Sequence, residues 1–402
     1  MASQILDGGF GESRRAGIFA RYMRILYLHQ YYRTPCEGGG VRSYHIAHGL
    51  AEAGHQVHVV TTWDGPARRV ERNGRLLITY LPIAYGNHLG KGARVRAFWA
   101  FVWGSYRVAR AWLPAGRVFA TSTPLTIGLT ALLLKAVHGV PYVFEVRDNW
   151  PEAPIQLGYV KGSAYAAALR WLERLIYRQA RRLVVLSPPL QAHVAAKAPG
   201  KPIALIPNLA DPATYLLERT GMAASIYHVV YAGTLGYANH LDRLLALALA
   251  ARQAGMPVRF TLAGQGAEQE AIANFIAAHG LRQTVTMLPQ LSNAGVARLL
   301  ATADAAYVGF RPEPVLQQNS PNKFFDALAA GVPLLLGVEG WLAEAVRQSG
   351  CGVVLADYNA DCAALQALMA ADQPRLQQAA IALSARFAKD KLVPLAISAI
   401  EG

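Results

Sequence analysis

Short apolar runs alternate along this chain with longer segments in which apolar residues recur every three or four positions. Residues 23–29 (MRILYLH) form the first run, and their uniform apolarity is that of a strand covered on both faces. A Gly-rich stretch then ends at Gly40, a helical period runs over 41–53, Gly54 stands where such helices stop, and 56–61 is apolar again. This is a βαβ unit. Further strands are predicted at 75–81, 117–120, 141–145, 183–186 and 203–207, with helices near 94–112, 125–138 and 164–180. A second alternation begins near 228. Strands 228–233, 258–263, 284–288, 304–309 and 332–337 interleave with helices 240–254, 267–279, 293–301, 321–330 and 341–348. The pattern predicts an α/β protein of two Rossmann-like parallel-sheet domains, placed at 23–207 and 228–385 and joined by a linker over 208–227. Residues 1–22 have no apolar core of a secretory signal and are expected to be either a flexible extension or a mis-called start, since a chain beginning at Met23 would look complete. Residues 386–402 form a C-terminal segment expected to return to the first domain. Parallel sheets bind ligands outside the carboxyl ends of their strands, so two facing domains create one cleft between them.

Composition narrows the class. Of 402 residues, 53% are hydrophobic and 16% charged, with no low-complexity tract, which excludes a disordered chain. Cys36, Cys351 and Cys362 are too few and too dispersed for a disulfide framework or a four-ligand zinc site, and a reducing cytoplasm fits them. No uncharged apolar run reaches the ~18 residues of a spanning helix. Charge is one-sided: residues 1–210 hold 26 basic against 10 acidic residues, net +16, and residues 211–402 hold 13 against 15, net −2. Such a field attracts phosphate, nucleic acid or an anionic membrane surface.

Three loops follow predicted strands, where backbone N–H groups are free to meet anions. The first, 29–40 (HQYYRTPCEGGG), leads into a helix start carrying Arg42 and Ser43; consecutive glycines let a diphosphate approach the main chain. A plain tight turn is the alternative. The second, 144–152 (FEVRDNWPE), delivers Arg147, Asp148 and Glu152 beside Trp150; it reads as a polar site or as a loop fixed by an Arg147–Asp148 salt bridge. The third, 317–326 (QQNSPNKFFD), lets Ser320 cap a helix with Pro321 at its first position and sets Lys323 and Asp326 three apart on one face, as a binding site or as a surface ion pair.

Taken in order, these segments resemble the retaining sugar-nucleotide glycosyltransferases of family 4, which have the GT-B fold, and in particular the bacterial surface-polysaccharide branch that includes N-acetyl-L-fucosamine transferases. The resemblance runs from Met23 to about Leu392 through LHQYYRTPCEGGGVRSYHIAHGLAEAGHQVHVVTT, FEVRDNWPE, LVVLSP, IPNLAD, VVYAGTLGYANHLDRLL, LAGQGAEQE and SPNKFFDALAAGVP. RDNWPE and SPNKFFDALAAG are fairly specific to that branch; the rest is shared among GT-B proteins. It implies that Gly39 and Gly40 approach the donor diphosphate or the acceptor and that Gly264 and Gly266 bound the nucleotide pocket. The family's Glu-x7-Glu motif is here Gln318 and Asp326, with Asp326 at the position that binds ribose. Where many relatives place an Arg and a Lys on the pyrophosphate, this chain has Thr234 and Asn239, so Lys323 and Arg147 are the expected replacements, supported by Ser320, Pro321 and Asn322 at the helix start. Arg147 stands where relatives have the His of a His–Asp pair, and Asp148 assists the acceptor hydroxyl. The implied reaction moves a deoxy or N-acetylated hexose from a UDP-sugar, with retention, to a polyprenyl-diphosphate-linked or nascent polysaccharide or lipopolysaccharide acceptor. No cofactor or metal is expected, since no DxD or His/Cys cluster is present and fixed cations can neutralise the departing diphosphate.

The segment 91–117 mixes Arg94, Arg96, Arg107, Arg110 and Arg117 with Phe98, Trp99, Phe101, Trp103, Tyr106 and Trp112, a composition suited to an anionic bilayer. Val95, Phe98, Val102, Tyr106 and Ala109 are read as its core-facing stripe, which leaves Trp99 and Trp103 outside it. The expected protein is therefore cytoplasmic and peripheral on the inner face of the membrane. Two other classes stay open. A sugar-nucleotide 2-epimerase shares the fold but takes no lipid acceptor, and a nucleic-acid-binding protein would use the basic half, although no RRM, helix-turn-helix or zinc pattern is present.

Overall fold

The computed structural model describes residues 22–84, 90–160, 162–219, 226–355 and 357–402. The predicted extension lies outside them except for Tyr22, as do residues 220–225 of the predicted linker.

Two parallel-sheet α/β domains are present, as the alternation predicts. The first sheet holds β1 (Arg24–Leu28), β2 (Gln56–Trp63), β3 (Arg69–Asn73), β4 (Leu76–Pro82), β5 (Arg117–Thr121), β6 (Tyr142–Val146), β7 (Arg182–Val185) and β8 (Ile203–Leu205), in the order β3-β4-β2-β1-β5-β6-β7-β8. The second holds β9 (Tyr227–Ala232), β10 (Val258–Ala263), β11 (Val285–Leu288), β12 (Ala305–Gly309), β13 (Leu334–Gly337) and β14 (Gly352–Val354), in the order β11-β10-β9-β12-β13-β14. All described pairings are parallel except β3 with β4. That edge hairpin was absent from the predicted pattern because RVERN is too polar to read as a strand; the turn at Asn73-Gly74 brings it back onto β4. The helices Asp361–Ala370 and Gln373–Ser384 and the short strand β14 were not predicted either.

β1 and β9 are central, and both sheets reverse their strand order beside them, at β1/β5 and at β9/β12. Helix Arg42–Glu52 covers one face of the first sheet. Helices Lys91–Ala111, Ile127–His138, Ser163–Gln179 and Pro188–Lys197 cover the other, closing a core that includes Phe101, Phe119's neighbour Val118, Ile127, Leu134, Tyr142, Ile176 and Leu190. The C-terminal helix Lys389–Glu401 crosses back from the second domain. Its Val393 lies against Gly49, where a methyl group would collide with it, and Arg117 Nη2 donates to the Glu401 carbonyl at 2.7 Å. The crossing is held by a main-chain bridge between Ala210 and Ala388.

One buried ion pair ties three parts of the first domain together. Arg42, 2% exposed, donates from Nε to Glu145 Oε1 at 2.8 Å, and Glu145 is fully buried on β6. Arg42 Nη1 also donates to the Pro207 carbonyl at the start of the interdomain connection. Removing one member of such a pair strands a buried charge, whereas replacing both by apolar groups does not. Glu145→Leu is expected to cost about 3–5 kcal/mol in urea unfolding. Arg42→Met with Glu145→Leu should recover most of that loss; a double variant as unstable as the single would show that the pair is not the source.

Candidate functional site

The strand ends of both sheets face a cleft with two chambers. The first, about 380 Å3, lies on the second domain's side and is lined by Gly233 and Thr234 after β9, Gly264 after β10, Phe310 after β12, and Asn322, Lys323 and Asp326 of helix Asn322–Ala329. Gly39 and Gly40 close it from the first domain. The glycines of that loop serve different ends. A Cβ on Gly38 would strike the Leu291 carbonyl and one on Gly40 the Asn322 amide, so both are small because the other domain is in the way. Gly39, at φ +93°, would meet nothing within 4 Å, and its main chain is the part open to a ligand. Gly264 keeps the β9 and β10 loops backbone to backbone, since a Cβ there would enter the Gly233 carbonyl. Gly266 packs likewise on the Leu235 carbonyl and does not line the chamber.

Lys323 is the chamber's cation. Its Nζ donates to the Tyr231 hydroxyl at 3.2 Å and to Asn239 Oδ1, lies 4.5 Å from the Tyr231 ring centre, and has no carboxylate within 4.0 Å among the described residues. Burial without a counter-ion pulls its pKa down to about 7. Asp326 is no partner for it. Its carboxyl bonds with the Tyr215 hydroxyl, and burial, aided by nearby Asp211, pushes its pKa up to about 8. The surface ion pair allowed by the sequence is therefore not formed. Ser320 does not cap the helix either. Pro321 is the N-cap residue, without a side-chain cap, and Ser320 instead bonds across the domain boundary, its Oγ accepting from Asn208 N at 3.4 Å and its carbonyl from Asn208 Nδ2. Gln318 stands outside both chambers. Its Oε1 accepts from Asn149 Nδ2 at 3.0 Å and its carbonyl from Ser187 Oγ at 2.6 Å, so it acts as an interdomain strut.

The second chamber, about 410 Å3, lies on the first domain's side. His29, Arg147 and Asp148 line it, and Gly40, Phe310, Pro321 and Asn322 are shared with the first chamber and form the throat between them. Arg147 and Asp148 do not form a salt bridge within 4.0 Å. Asp148 Oδ2 accepts from the Thr123 hydroxyl at 2.7 Å, and Arg147 Nη1 lies 3.4 Å from His29 Nε2. Burial, and then the Arg147 charge, hold His29 well below its usual pKa, so it is neutral and accepts from the guanidinium. Lys323 lines one chamber and Arg147 the other, so a basic group from each domain stands on either side of the throat. His29, Asn208, Tyr215, Tyr231 and Asn239 complete this arrangement without having been singled out as site residues. His29, Asn208, Tyr231 and Asn239 lay inside quoted motifs, Asn239 as the residue standing where relatives carry a cation; Tyr215 lay outside them, in the predicted linker, which carries no periodic signal.

Helix Lys91–Ala111 is remote from the throat. Trp99 and Trp103 are 49% and 53% exposed, with Arg96, Arg107 and Arg110 exposed alongside and Arg94 half-buried. The core-facing stripe is rotated from the one predicted: Ala97, Phe101, Val102, Val108 and Ala109 are buried, while Val95 is 46% exposed. Arg117 is buried against the C-terminal helix rather than displayed. Among the described residues no helix is long and apolar enough to cross a membrane, and no three His, Cys, Asp or Glu side chains cluster as metal ligands.

Residues 37–209 match the family described as glycosyl transferase 4-like domain, and residues 225–390 match glycosyl transferases group 1. Glycogen synthase of Mycobacterium tuberculosis is 26% identical over 268 residues, 65% of this chain. The matched segment spans 61% of the length of that curated relative. Sucrose-phosphate synthase from Thermosynechococcus elongatus has a TM-score of 0.75 at 17% identity, covering 93% of this chain and 97% of its own. WaaG, a glycosyltransferase involved in lipopolysaccharide biosynthesis, has a TM-score of 0.68 at 19% identity, covering 94% and 100%. HepE from Anabaena, solved with UDP and glucose, gives 0.66 at 16% identity over 94% and 99%. These likenesses are to the GT-B fold.

A lysine whose pKa is lowered by folding binds fewer protons folded than unfolded between about pH 7 and its unfolded value near 10.4, so its unfavourable contribution is complete below about 7 and fades as pH rises. Lys323→Met, which keeps the length and removes the charge, should therefore raise the unfolding temperature below pH 7. That gain should shrink at higher pH in calorimetric scans. A pH-independent gain, or a loss, would mean that the ammonium is not desolvated.

Proposed function

The chain belongs to the glycosyltransferases of the GT-B fold, and on that premise we propose that it moves a deoxy or N-acetylated hexose from UDP-sugar to a polyprenyl-diphosphate-linked or nascent surface-glycan acceptor, with retention. The observation that carries this reading is Lys323: a half-buried cation without a carboxylate partner, at the start of a helix, opposite the open main chain of Gly39. Such a group is unfavourable on its own and is neutralised by an anionic ligand. A diphosphate spanning Lys323 and the Gly39 main chain would set the donor sugar at the throat formed by Gly40, Phe310, Pro321 and Asn322, with the acceptor in the Arg147 chamber. Asp326, with Tyr215, then faces the nucleoside end.

In the proposed reaction the bond from the sugar's C1 to the diphosphate oxygen breaks as the acceptor oxygen bonds to C1 on the same face. The acceptor proton passes to the departing diphosphate oxygen. Lys323 and Arg147 stabilise the charge that grows there, a task assigned to them rather than to a metal ion or cofactor, and Asp148, positioned by Thr123, orients the acceptor hydroxyl. Asn239 and Tyr231 hold Lys323 in place without quenching it.

The acceptor's lipid would be met on the helical face of the first domain. Trp99 and Trp103 with Arg96, Arg107 and Arg110 form an exposed stripe, and helix Ser163–Gln179 on the same face adds exposed Tyr165 and Trp171 with Arg174 and Arg178. This supports peripheral docking on an anionic, cytoplasmic membrane face.

Purified protein incubated with labelled UDP-sugars and a lipid-diphosphate acceptor should give a retained glycosidic product. Lys323→Ala should lower turnover by ~10²-fold or more, the scale of removing one charged stabiliser. UDP affinity should fall as pH rises from about 7 to 9, because Lys323 and Asp326 both lose protons there and the chamber turns from cationic to anionic. Full activity in Lys323→Ala, or flat affinity, would remove the assignment. Replacing Arg94, Arg96, Arg107 and Arg110 together by Gln should release the protein from anionic vesicles in flotation at low salt, at about 1 kcal/mol per charge, while UDP binding persists. A wild-type protein that fails to float would end the membrane reading.

A further inference from the structure

A third chamber, about 370 Å3, opens between the loop after β1, the end of β2 and the β3–β4 hairpin. It has no lining residue in common with the Lys323 chamber, but shares Tyr31 and Arg33 with the Arg147 chamber. We propose that this chamber binds a neutral sugar unit of the acceptor glycan, set back from the reacting hydroxyl, and so selects which glycan is extended. The proposal rests on the glycosyltransferase reading for the word acceptor, but not for the sugar site itself.

Gln30 is the first reason. It is fully buried, it lines the chamber, and neither Nε2 nor Oε1 has a hydrogen-bond partner in the protein. Buried amides are ordinarily paired, and leaving one unpaired is destabilising. Nor is it misplaced by a loose backbone. The Gln30 carbonyl accepts from Thr61 Oγ1 at 3.1 Å, Thr62 Oγ1 at 2.8 Å and Thr62 N at 3.3 Å, which fixes this residue on the end of β2. The Tyr32 hydroxyl, on a side chain 3% exposed, is likewise without a partner. An amide that donates and accepts at once, beside a hydroxyl that can do either, matches the adjacent hydroxyl groups of a pyranose.

The wall opposite is aromatic. Arg69 lies 5.6 Å from the Trp63 ring centre and 5.0 Å from that of Tyr80, which is 6% exposed, so the guanidinium covers part of both rings and the half-buried Trp63 is the aromatic group left for the apolar face of a sugar. Its charge is spent. Arg69 pairs with Glu71, which also accepts from the Tyr80 hydroxyl at 2.9 Å, and Arg33 pairs with Glu37 at 3.7 Å. With both cations committed and acidic groups beside them, a phosphate or uronate would gain little, which favours a neutral ligand. The volume lies within the about 300–1,000 Å3 of small-molecule sites.

Saturation-transfer NMR of the full chain with a panel of neutral disaccharides at millimolar concentration, and a glucuronic-acid disaccharide as charged comparator, tests this. At least one neutral member should show saturation. Gln30→Leu and Trp63→Ala should each weaken it by about tenfold, the scale of one lost hydrogen-bonded contact. UDP affinity by calorimetry should stay within about twofold in both variants, which also certifies their folding. The proposal is overturned if no neutral disaccharide is saturated, if binding survives both substitutions, if UDP displaces the sugar, or if the charged comparator binds better. Failure of the wild-type protein to bind UDP would sink the donor assignment alone and leave the sugar result to be read by itself.

Discussion

The Arg42–Glu145 pair is the constraint on which the placement of the cleft depends. Arg42 opens the helix that follows the Gly38–Gly40 loop, Glu145 lies one residue before the end of the strand that delivers Arg147 and Asp148, and the Pro207 carbonyl, held by the same guanidinium, begins the connection to the second domain. Removing either member of a pair buried to this extent leaves the other charge uncompensated, although Arg42 Nη2 and Glu145 Oε2 already lack partners in the protein. Displacing the glycine loop, the β6 loop or the connection would therefore leave Arg42 or Glu145 unmet. Three pieces of chain far apart in sequence are thereby held in one register.

The second domain answers with an opposite economy. There the decisive cation, Lys323, is left without a counter-ion, supported by an amide and a phenol. Arg42 in the first domain and Arg243, paired with Asp361, in the second have carboxylate partners that hold a shape; Lys323 has none, and stability is given up where a ligand can return it. Asp326 follows the same logic in reverse, a carboxyl kept from ionising by burial within a turn of helix from a lysine that loses its proton readily. The two were free to pair and do not, because Tyr215 and Asn239 hold them apart.

The domains meet at the cleft through single residues and elsewhere through an apolar cluster that includes Ile206, Leu209 and Tyr215 of the connection and Leu392 and Ala396 of the C-terminal helix. Gly38 and Gly40 sit directly against the second domain, Asn208 bonds to Ser320, and Gln318 bridges Asn149 and Ser187. The C-terminal helix then clasps the first domain from behind. Of these contacts, Gly40 and the Asn208–Ser320 pair line the Arg147 chamber, so a relative movement of the domains would be felt there.

Periodicity and loop chemistry by themselves determined two parallel-sheet domains, most strand positions and the three loops that line the cleft, because buried parallel strands are uniformly apolar and their loops are marked by Gly and Pro. The uneven charge of the two halves was equally legible. What failed was local and instructive. The polar β3 hairpin was missed although Asn73-Gly74 announces its turn, and the buried face of helix Lys91–Ala111 is rotated because its packing on helix Ile127–His138 and strands β2 and β4, not its own period, chooses it. Ser320 looked like a cap, Gln318 like a donor contact and Lys323 with Asp326 like an ion pair. Only the tertiary structure decided otherwise, since each of those side chains is claimed by a residue of remote sequence: Asn208, Asn149, Asn239 and Tyr215. Residue type and spacing specify what a side chain can do; burial and the partner brought from elsewhere in the fold determine which of those things it does.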